Sequence, residues 1–303
     1  MKNKFKKFLA ISLVAVLGAS VLAGCGSDDG NSIDSGKDEV NEERVVNFGY
    51  VNWAEGVAMT NILKVILEDE LDYKVNATMA DAGVVFTSLA DGDVDFFIEG
   101  WLPVTHQSYM EEYGDKLEKL GANYEGARIG TVVPSYVEID SLEELNAVKD
   151  KFEGRIIGID AGAGVMKTTE KAIEEYGLDM ELTTGSGPVM AAALSDAINN
   201  EEWIAVTGWT PHWKFAKWDL KFLEDPKKVY GDAETLYTIA RKGIKEDENL
   251  ADAVELIENF KMNDEQLGDL MSAFEESNTD EEETAKQWVK ENEELVKSWL
   301  PSK

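Results

Sequence analysis

The sequence predicts an α/β fold of two similar lobes, because two segments of the chain follow the same order of elements. The first runs from Gly49 to Gly100 and the second from Gly158 to Gly208, with spacings of 51 and 50 residues. Each reads as strand, Gly-containing turn, helix, strand, helix and strand, and each ends in Gly-Trp-x-Pro and then a histidine. Strands that alternate with helices predict mainly parallel sheets with right-handed crossovers. Two such copies predict lobes that face each other across a cleft.

The elements of the two copies follow from their apolar patterns. The first copy reads as strands over Val45–Val51, Lys74–Met79 and Val94–Ile98, with a short helix over 83–90. Its longer helix carries an apolar stripe at helical spacing, formed by Met59, Ile62, Leu63, Ile66 and Leu67. The second copy reads as strands over Arg155–Ile159, Glu181–Thr183 and Ile204–Val206, with one helix opening near Val165 and another carrying a stripe from Met190 to Ile198.

Two extended apolar runs outside the copies, Ala127–Ile139 and Thr235–Arg241, are interpreted as strands that cross between the lobes. We therefore expect lobe 1 to comprise 44–135 plus 233–303, and lobe 2 to comprise 136–232. The C-terminal region reads as helical, and Trp288 and Trp299 fall on its apolar stripes, which predicts a packing role for both.

The N-terminus has the pattern of an export signal. Four lysines precede an apolar stretch from Phe8 to Leu22, which is too short for a spanning helix. The stretch ends in Leu-Ala-Gly-Cys25, and this cysteine is the chain's only one. The pattern resembles the signal of bacterial lipoproteins, in which lipid is attached to the cysteine. We expect residues 1–24 to be the signal peptide, Cys25 to anchor the protein to the outer face of the bacterial cell membrane, and 25–43 to be a disordered tether.

The charge of the chain limits its partners. It has 60 acidic and 29 basic residues, and loss of residues 1–24 would leave 25 basic residues and a net charge of −35. Such a surface repels nucleic acid and anionic lipid, so neither is an expected partner of the folded region. A cationic or zwitterionic ligand remains compatible with this charge.

Three tryptophans share a position at strand ends, where ligands bind in open α/β sheets. Trp53 follows the first strand, Trp101 the third strand, and Trp209 the last strand of the second copy. An indole face attracts a small organic cation, because its quadrupole is negative there. Three other tryptophans lack this position and are interpreted as packing residues: Trp203, Trp213 and Trp218.

The residues Gly162-Ala163-Gly164 open a helix at Val165, where free N–H groups favour an anion. A nucleotide fits poorly, because the third glycine of a dinucleotide fingerprint and the lysine of a phosphate loop are absent. A carboxylate is the more economical anion, and His106 offers a second donor, although a lone histidine is commonly structural. His212 is interpreted as bracing its own loop.

Three phrases, Trp-Ala-Glu-Gly-Val-Ala, Gly-Trp-Leu-Pro-Val-Thr-His and Gly-Trp-Thr-Pro-His-Trp, together with the lipoprotein signal, resemble the substrate-binding proteins of glycine betaine ABC importers over about 44–303. The resemblance implies a two-lobed, type II periplasmic-binding-protein-like fold that closes on its ligand. It implies osmoprotective uptake through a membrane permease driven by a separate ATPase, with no cofactor. By motif, the quaternary ammonium group lies in a cage of Trp53, Trp101 and Trp209, and the carboxylate is held by His106 and the amides of Gly164 and Val165.

Two alternatives to glycine betaine binding stay open at this point. An extracellular hydrolase lacks support, since the sequence has no Gly-x-Ser-x-Gly elbow and no His-Glu-x-x-His or cysteine cluster. We therefore expect no enzyme activity, no catalytic residue and no metal. The other alternative is a different ligand: choline, carnitine, proline betaine or a sulfonium analogue. The helix start and His106 favour a zwitterion over choline, but the sequence does not separate betaines of similar size.

Overall fold

The computed structural model describes residues 44–302, so the predicted signal peptide, the predicted lipidation site Cys25 and the predicted tether lie outside the described residues. The strands are β1 Val45–Tyr50, β2 Lys74–Met79, β3 Phe96–Leu102, β4 Leu117–Pro134, β5 Arg155–Ile157, β6 Glu181–Thr183, β7 Val206–Thr210, β8 Leu220–Phe222 and β9 Glu234–Arg241. The α-helices are α1 Ala54–Leu71, α2 Ala82–Asp91, α3 Gln107–Tyr113, α4 Leu145–Val148, α5 Gly164–Tyr176, α6 Gly187–Asn199, α7 Lys214–Lys217, α8 Ala251–Asn259, α9 Asp264–Glu276, α10 Glu281–Glu291 and α11 Glu293–Trp299.

The nine strands form one mixed sheet in the order β2-β1-β3-β9-β4-β7-β5-β6, with β8 also paired to β4. In the first copy β1 lies parallel to β2 and β3, and in the second β5 lies parallel to β6 and β7. The predicted parallel pairing is therefore confirmed within each copy. The pairs between β3 and β9, β9 and β4, β4 and β7, and β4 and β8 are antiparallel.

The 18-residue strand β4 joins the two halves of the sheet. Its residues 117–127 pair with β9, and its residues 128–134 pair with β7 and β8. We call the half that contains β1, β2, β3 and β9 lobe 1 and the half that contains β5, β6, β7 and β8 lobe 2; β4 passes from one to the other. The run Thr235–Arg241 lies within β9, which pairs with β3 and with residues 117–127 of β4. The residue bounds proposed for the two lobes stay a prediction.

Helix α1 shows how the apolar stripes position lobe 1. The five residues of its predicted stripe are fully buried, and the helix packs on the sheet and against α9 and α10. The helix is terminated by Asp72, whose φ of 55° is left-handed and stops the helical run.

Trp288 and Trp299 are buried in the same core, with their ring centroids 6.5 Å apart and their planes nearly parallel, as expected of packing residues. Within 44–302, no helix combines the length and apolarity needed to cross a membrane.

Candidate functional site

The three predicted cage tryptophans meet at one cavity. Trp53, Trp101 and Trp209 are each at least 95% buried and line the same small cavity. Trp53 immediately precedes α1, whereas Trp101 and Trp209 are the penultimate residues of β3 and β7. The sequence predicts that both rings come just after their strands, but each strand extends one residue beyond its tryptophan. The prediction that both rings lie near a strand end is correct. Since lobe 1 supplies two of the rings and lobe 2 the third, the cavity lies between the lobes.

Two hydrogen bonds cross between the lobes at this cavity. The indole N–H of Trp53 donates to Asp160 Oδ2 at 3.0 Å, and that of Trp209 donates to Glu55 Oε2 at 3.0 Å. Each lobe thus offers a tryptophan to a carboxylate of the other lobe. A third bond runs from the hydroxyl of Tyr109 in lobe 1 to the carbonyl of Gly162 in lobe 2, at 2.8 Å. These bonds hold the rings at fixed angles to the cavity.

Carboxyl groups surround the cage. Burial raises the pKa of Glu55 to about 7. The hydrogen bond from Trp209 opposes this shift, because it stabilises the ionised carboxylate. Burial, and then the charge of Glu55, raise the pKa of Glu99 well above its usual value; burial also raises that of Asp160. A cation placed among these three groups would favour their ionised forms, because opposite charges attract strongly in a buried site. The electrostatics of the cage therefore suit a cationic group.

His106 lies behind Trp53 and is fully buried. Its ring stacks on Trp53 with centroids 5.8 Å apart and planes 13° apart, and its Nδ1 accepts a hydrogen bond from the backbone N–H of Trp101 at 3.0 Å. Burial lowers the pKa of His106 to about 3, so the ring is neutral and the proton lies on Nε2. Nε2 has no hydrogen-bond partner among the described residues. His106 itself is not among the residues that line the cavity, so its role in holding a carboxylate stays a prediction.

Gly164 and Val165 are the first two residues of α5 and line the cavity. At a helix start these N–H groups have no acceptor within the helix, so they remain available to an anion. Gly164 also permits the close approach of the lobes, since a Cβ there would overlap the carbonyl oxygen of Thr105 in lobe 1. The helix start predicted near Val165 is confirmed to within one residue.

Three acidic residues of this site have no role predicted from the sequence. Two are Glu55 and Asp160, the acceptors of the crossed indole bonds. The third is Glu234, which is 2% exposed and accepts bonds from the N–H groups of Val104 (2.7 Å) and Thr105 (2.9 Å) and from the Thr105 hydroxyl. Glu234 thereby ties the start of β9 to the loop that follows Trp101. Glu55 in the first turn of a helix and Glu234 at a strand start carry no distinguishing signal in the sequence. Asp160 does carry one, because it directly follows the predicted strand Arg155–Ile159, at a position where ligands bind in open α/β sheets.

The remaining aromatic residues lie outside the cavity lining. Trp213 contacts His212 and Trp218, while Trp203 packs on Phe152. His212 Nδ1 accepts a bond from the backbone N–H of Lys214 at 3.1 Å, which fits the expected bracing of its loop. Among the described residues 44–302, no group of three or more His, Cys, Asp or Glu side chains could hold a metal ion.

Comparisons with known proteins agree on the kind of protein. Residues 44–291 match the family OpuAC, described as the substrate binding domain of ABC-type glycine betaine transport system. The glycine betaine/carnitine transport binding protein GbuC of Listeria monocytogenes is 42% identical over 176 residues; this is 57% of the present chain and only 56% of that protein's length. The glycine/betaine/L-proline-binding protein ProX of Borrelia burgdorferi superposes with a TM-score of 0.81 at 39% identity, over 85% of this chain and 97% of that one. Lactococcal OpuAC, in its closed-liganded conformation with glycine betaine, gives 0.80 at 35% identity, over 86% and 100%.

Proposed function

Because the chain belongs to the family of substrate-binding domains of ABC-type glycine betaine transport systems, we propose that it captures glycine betaine or a related compatible solute and delivers it to an ABC permease. The observation that carries this proposal is the cavity between the lobes, enclosed by the buried rings of Trp53, Trp101 and Trp209. Three indoles suit a trimethylammonium group, since each face attracts a cation without a hydrogen bond.

The negatively charged carboxylate of a betaine has its own binding groups in this proposal. The neutral His106 donates from Nε2, and the N–H groups of Gly164 and Val165 supply the start of a 13-residue helix. A zwitterion that places its cation in the cage and its carboxylate at these donors satisfies both ends. Choline has no carboxylate and would leave the donors unpaired, which costs free energy in a buried site.

Binding energy in this scheme depends on closure. The cage draws rings from both lobes, so a ligand inside it stabilises only the closed arrangement and shifts the population toward it. We infer that the closed form docks on a permease, whose ATPase is a separate chain, and that uptake protects the cell against osmotic stress. We also propose that the lobes have the bounds 44–135 plus 233–303 and 136–232, and that lipid on Cys25 anchors the protein outside the cell membrane.

Titration calorimetry with glycine betaine, proline betaine, carnitine and choline tests the proposal. We expect saturable one-to-one binding of glycine betaine, with choline weaker by at least about tenfold because it lacks the carboxylate. The GbuC relative is named for both glycine betaine and carnitine, so carnitine is the strongest rival. Tighter binding of carnitine than of glycine betaine would make carnitine the preferred ligand. The absence of binding heat with all four compounds would contradict the proposed function.

A further inference from the structure

Lys214, the first residue of α7, is a fully buried lysine with no role in the scheme above. Its Nζ has no hydrogen-bond partner among the described residues, which is costly for a buried ammonium group. The same atom lies 4.1 Å from the ring centroid of Trp209. Lys214 does not line the cavity, so it meets this cage ring from outside the ligand space. Trp209 therefore already faces one cation that belongs to the protein.

The titratable groups around Lys214 are few. Glu55 of α1 is the negative charge that acts on it, while Glu55 and Asp160 act in turn on the neighbouring Glu99. On its own side, His212 accepts a bond from the Lys214 backbone, and burial holds the pKa of His212 well below its usual value, so that ring is neutral. The aromatic ring of Phe215 lies 5.5 Å from Nζ. No described group forms an ion pair with Lys214 within 4.0 Å, so its positive charge is only partly compensated.

We propose that Lys214 sets the charge selectivity of the cage: its ammonium group on Trp209 opposes a second cation inside the cage and disfavours net-cationic ligands more than zwitterions. The proposal rests on the function proposed above. Two positive charges that share one indole repel each other through a buried, weakly screened space. A zwitterion carries a carboxylate that offsets part of this repulsion, whereas choline or tetramethylammonium carries none. Lys214 would thus act through Trp209 and not by touching the ligand.

The proposal has a pH signature of defined sign. Burial lowers the pKa of Lys214 from 10.5 to about 7. A cation in the cage lowers it further, so binding expels a proton and affinity rises as pH increases through about 7 and levels off above it. Glu55, whose pKa burial raises to about 7, ionises over the same range and also favours a cation, whereas both histidines are neutral there. The part of the rise that belongs to Lys214 is therefore the difference between wild type and a variant without the lysine.

Calorimetry on wild type, Lys214→Met and Lys214→Arg at pH 6, 7 and 9, with choline and glycine betaine, tests this. At pH 6 nearly all of a group with a pKa of about 7 is charged, so we expect Lys214→Met to bind choline up to about tenfold more tightly than wild type, with a smaller gain for glycine betaine. At pH 7 half of the lysine is neutral and the gain should fall to about twofold, and at pH 9 it should disappear. Lys214→Arg keeps its charge at every pH, so at pH 9 it should bind choline more weakly than wild type. Lys221→Met is the control, because Lys221 pairs with Asp140 on the surface of the same lobe.

The outcomes separate the two proposals. Wild type that binds neither compound contradicts the proposed function. In wild type, a choline affinity that stays constant relative to glycine betaine between pH 6 and 9 overturns the role of Lys214, because neutralising the lysine should favour choline and ionising Glu55 acts in the same direction; this measurement needs no variant to fold. A folded Lys214→Met protein with unchanged choline affinity, or an equal gain in Lys221→Met, overturns it as well. A normal thermal unfolding transition verifies that each variant is folded.

Discussion

The indole N–H of Trp209 donates a hydrogen bond to the carboxylate of Glu55 at 3.0 Å, from one lobe to the other. The bond between Trp53 and Asp160 has the same length and runs in the opposite direction. Each carboxylate thus fixes a ring supplied by the facing lobe and places negative charge at the edge of that ring. The contacts that close the lobes are in this way the contacts that orient the cage.

Replacing Glu55 by Ala should weaken glycine betaine binding by about 1–3 kcal/mol, because the buried indole N–H of Trp209 would lose its acceptor. Glu55→Gln keeps a carbonyl oxygen for that bond and should recover most of the loss. The same order is expected for Asp160→Ala and Asp160→Asn at Trp53. Calorimetry at pH 8 measures all four. Equal losses for the Ala and amide variants would contradict a hydrogen-bonding role.

The three cage tryptophans should differ in their tolerance of phenylalanine. Alanine at Trp53, Trp101 or Trp209 should each cost about 1–3 kcal/mol of binding while the fold survives. Phenylalanine keeps a π face but loses the indole N–H, so it should be milder at Trp101, which makes no crossed bond, than at the other two. Trp288→Ala is the control and should lower the unfolding temperature with little effect on affinity. An equal affinity loss at Trp288 would rule out the cage assignment.

Much of this arrangement could be predicted from local sequence. β2 and β6, the two edge strands of the sheet, have the predicted bounds. The strand that carries Trp209 is predicted over Ile204–Val206. It runs instead from Val206 to Thr210, because pairing with β4 extends it through the Gly-Trp phrase. Long-range partners could not be predicted, because Glu55 and Trp209 are 154 residues apart and a single sequence carries no contact information.

Lipid attachment at Cys25 predicts a difference in cell fractionation. Wild type should require detergent for extraction, because a diacylglyceryl group supplies two chains where one would anchor only marginally. Cys25→Ala should appear in the soluble extracytoplasmic fraction or remain uncleaved. Immunoblotting of membrane and soluble fractions measures this. Intact wild-type protein free in the medium would contradict the anchor.

The buried His106 should make the protein lose stability in acid. The pKa of His106 is lowered from 6.5 to about 3 in the fold, so the unfolded chain binds the proton first. The contribution is fully present above pH 6.5 and is lost as pH falls toward 3. Between pH 6.5 and about 4.5, wild type should lose about 2–3 kcal/mol more stability than His106→Gln, as urea unfolding would measure. Parallel pH profiles of the two proteins would show that His106 is not buried in its neutral form.

Closure should fail when a methyl group is added at Gly164. Its Cβ would overlap the carbonyl oxygen of Thr105 across the lobe boundary, and both atoms belong to backbone segments that cannot move aside cheaply. Gly164→Ala should therefore reduce affinity by at least about tenfold, or 1.4 kcal/mol, and saturating ligand should no longer lower the radius of gyration in solution scattering. Gly162→Ala, two residues earlier, is the matched control, since its Cβ would meet nothing closer than 3.7 Å. The control should bind and compact like wild type; a Gly164→Ala protein that does the same would show that the lobes do not need this close approach to enclose the ligand.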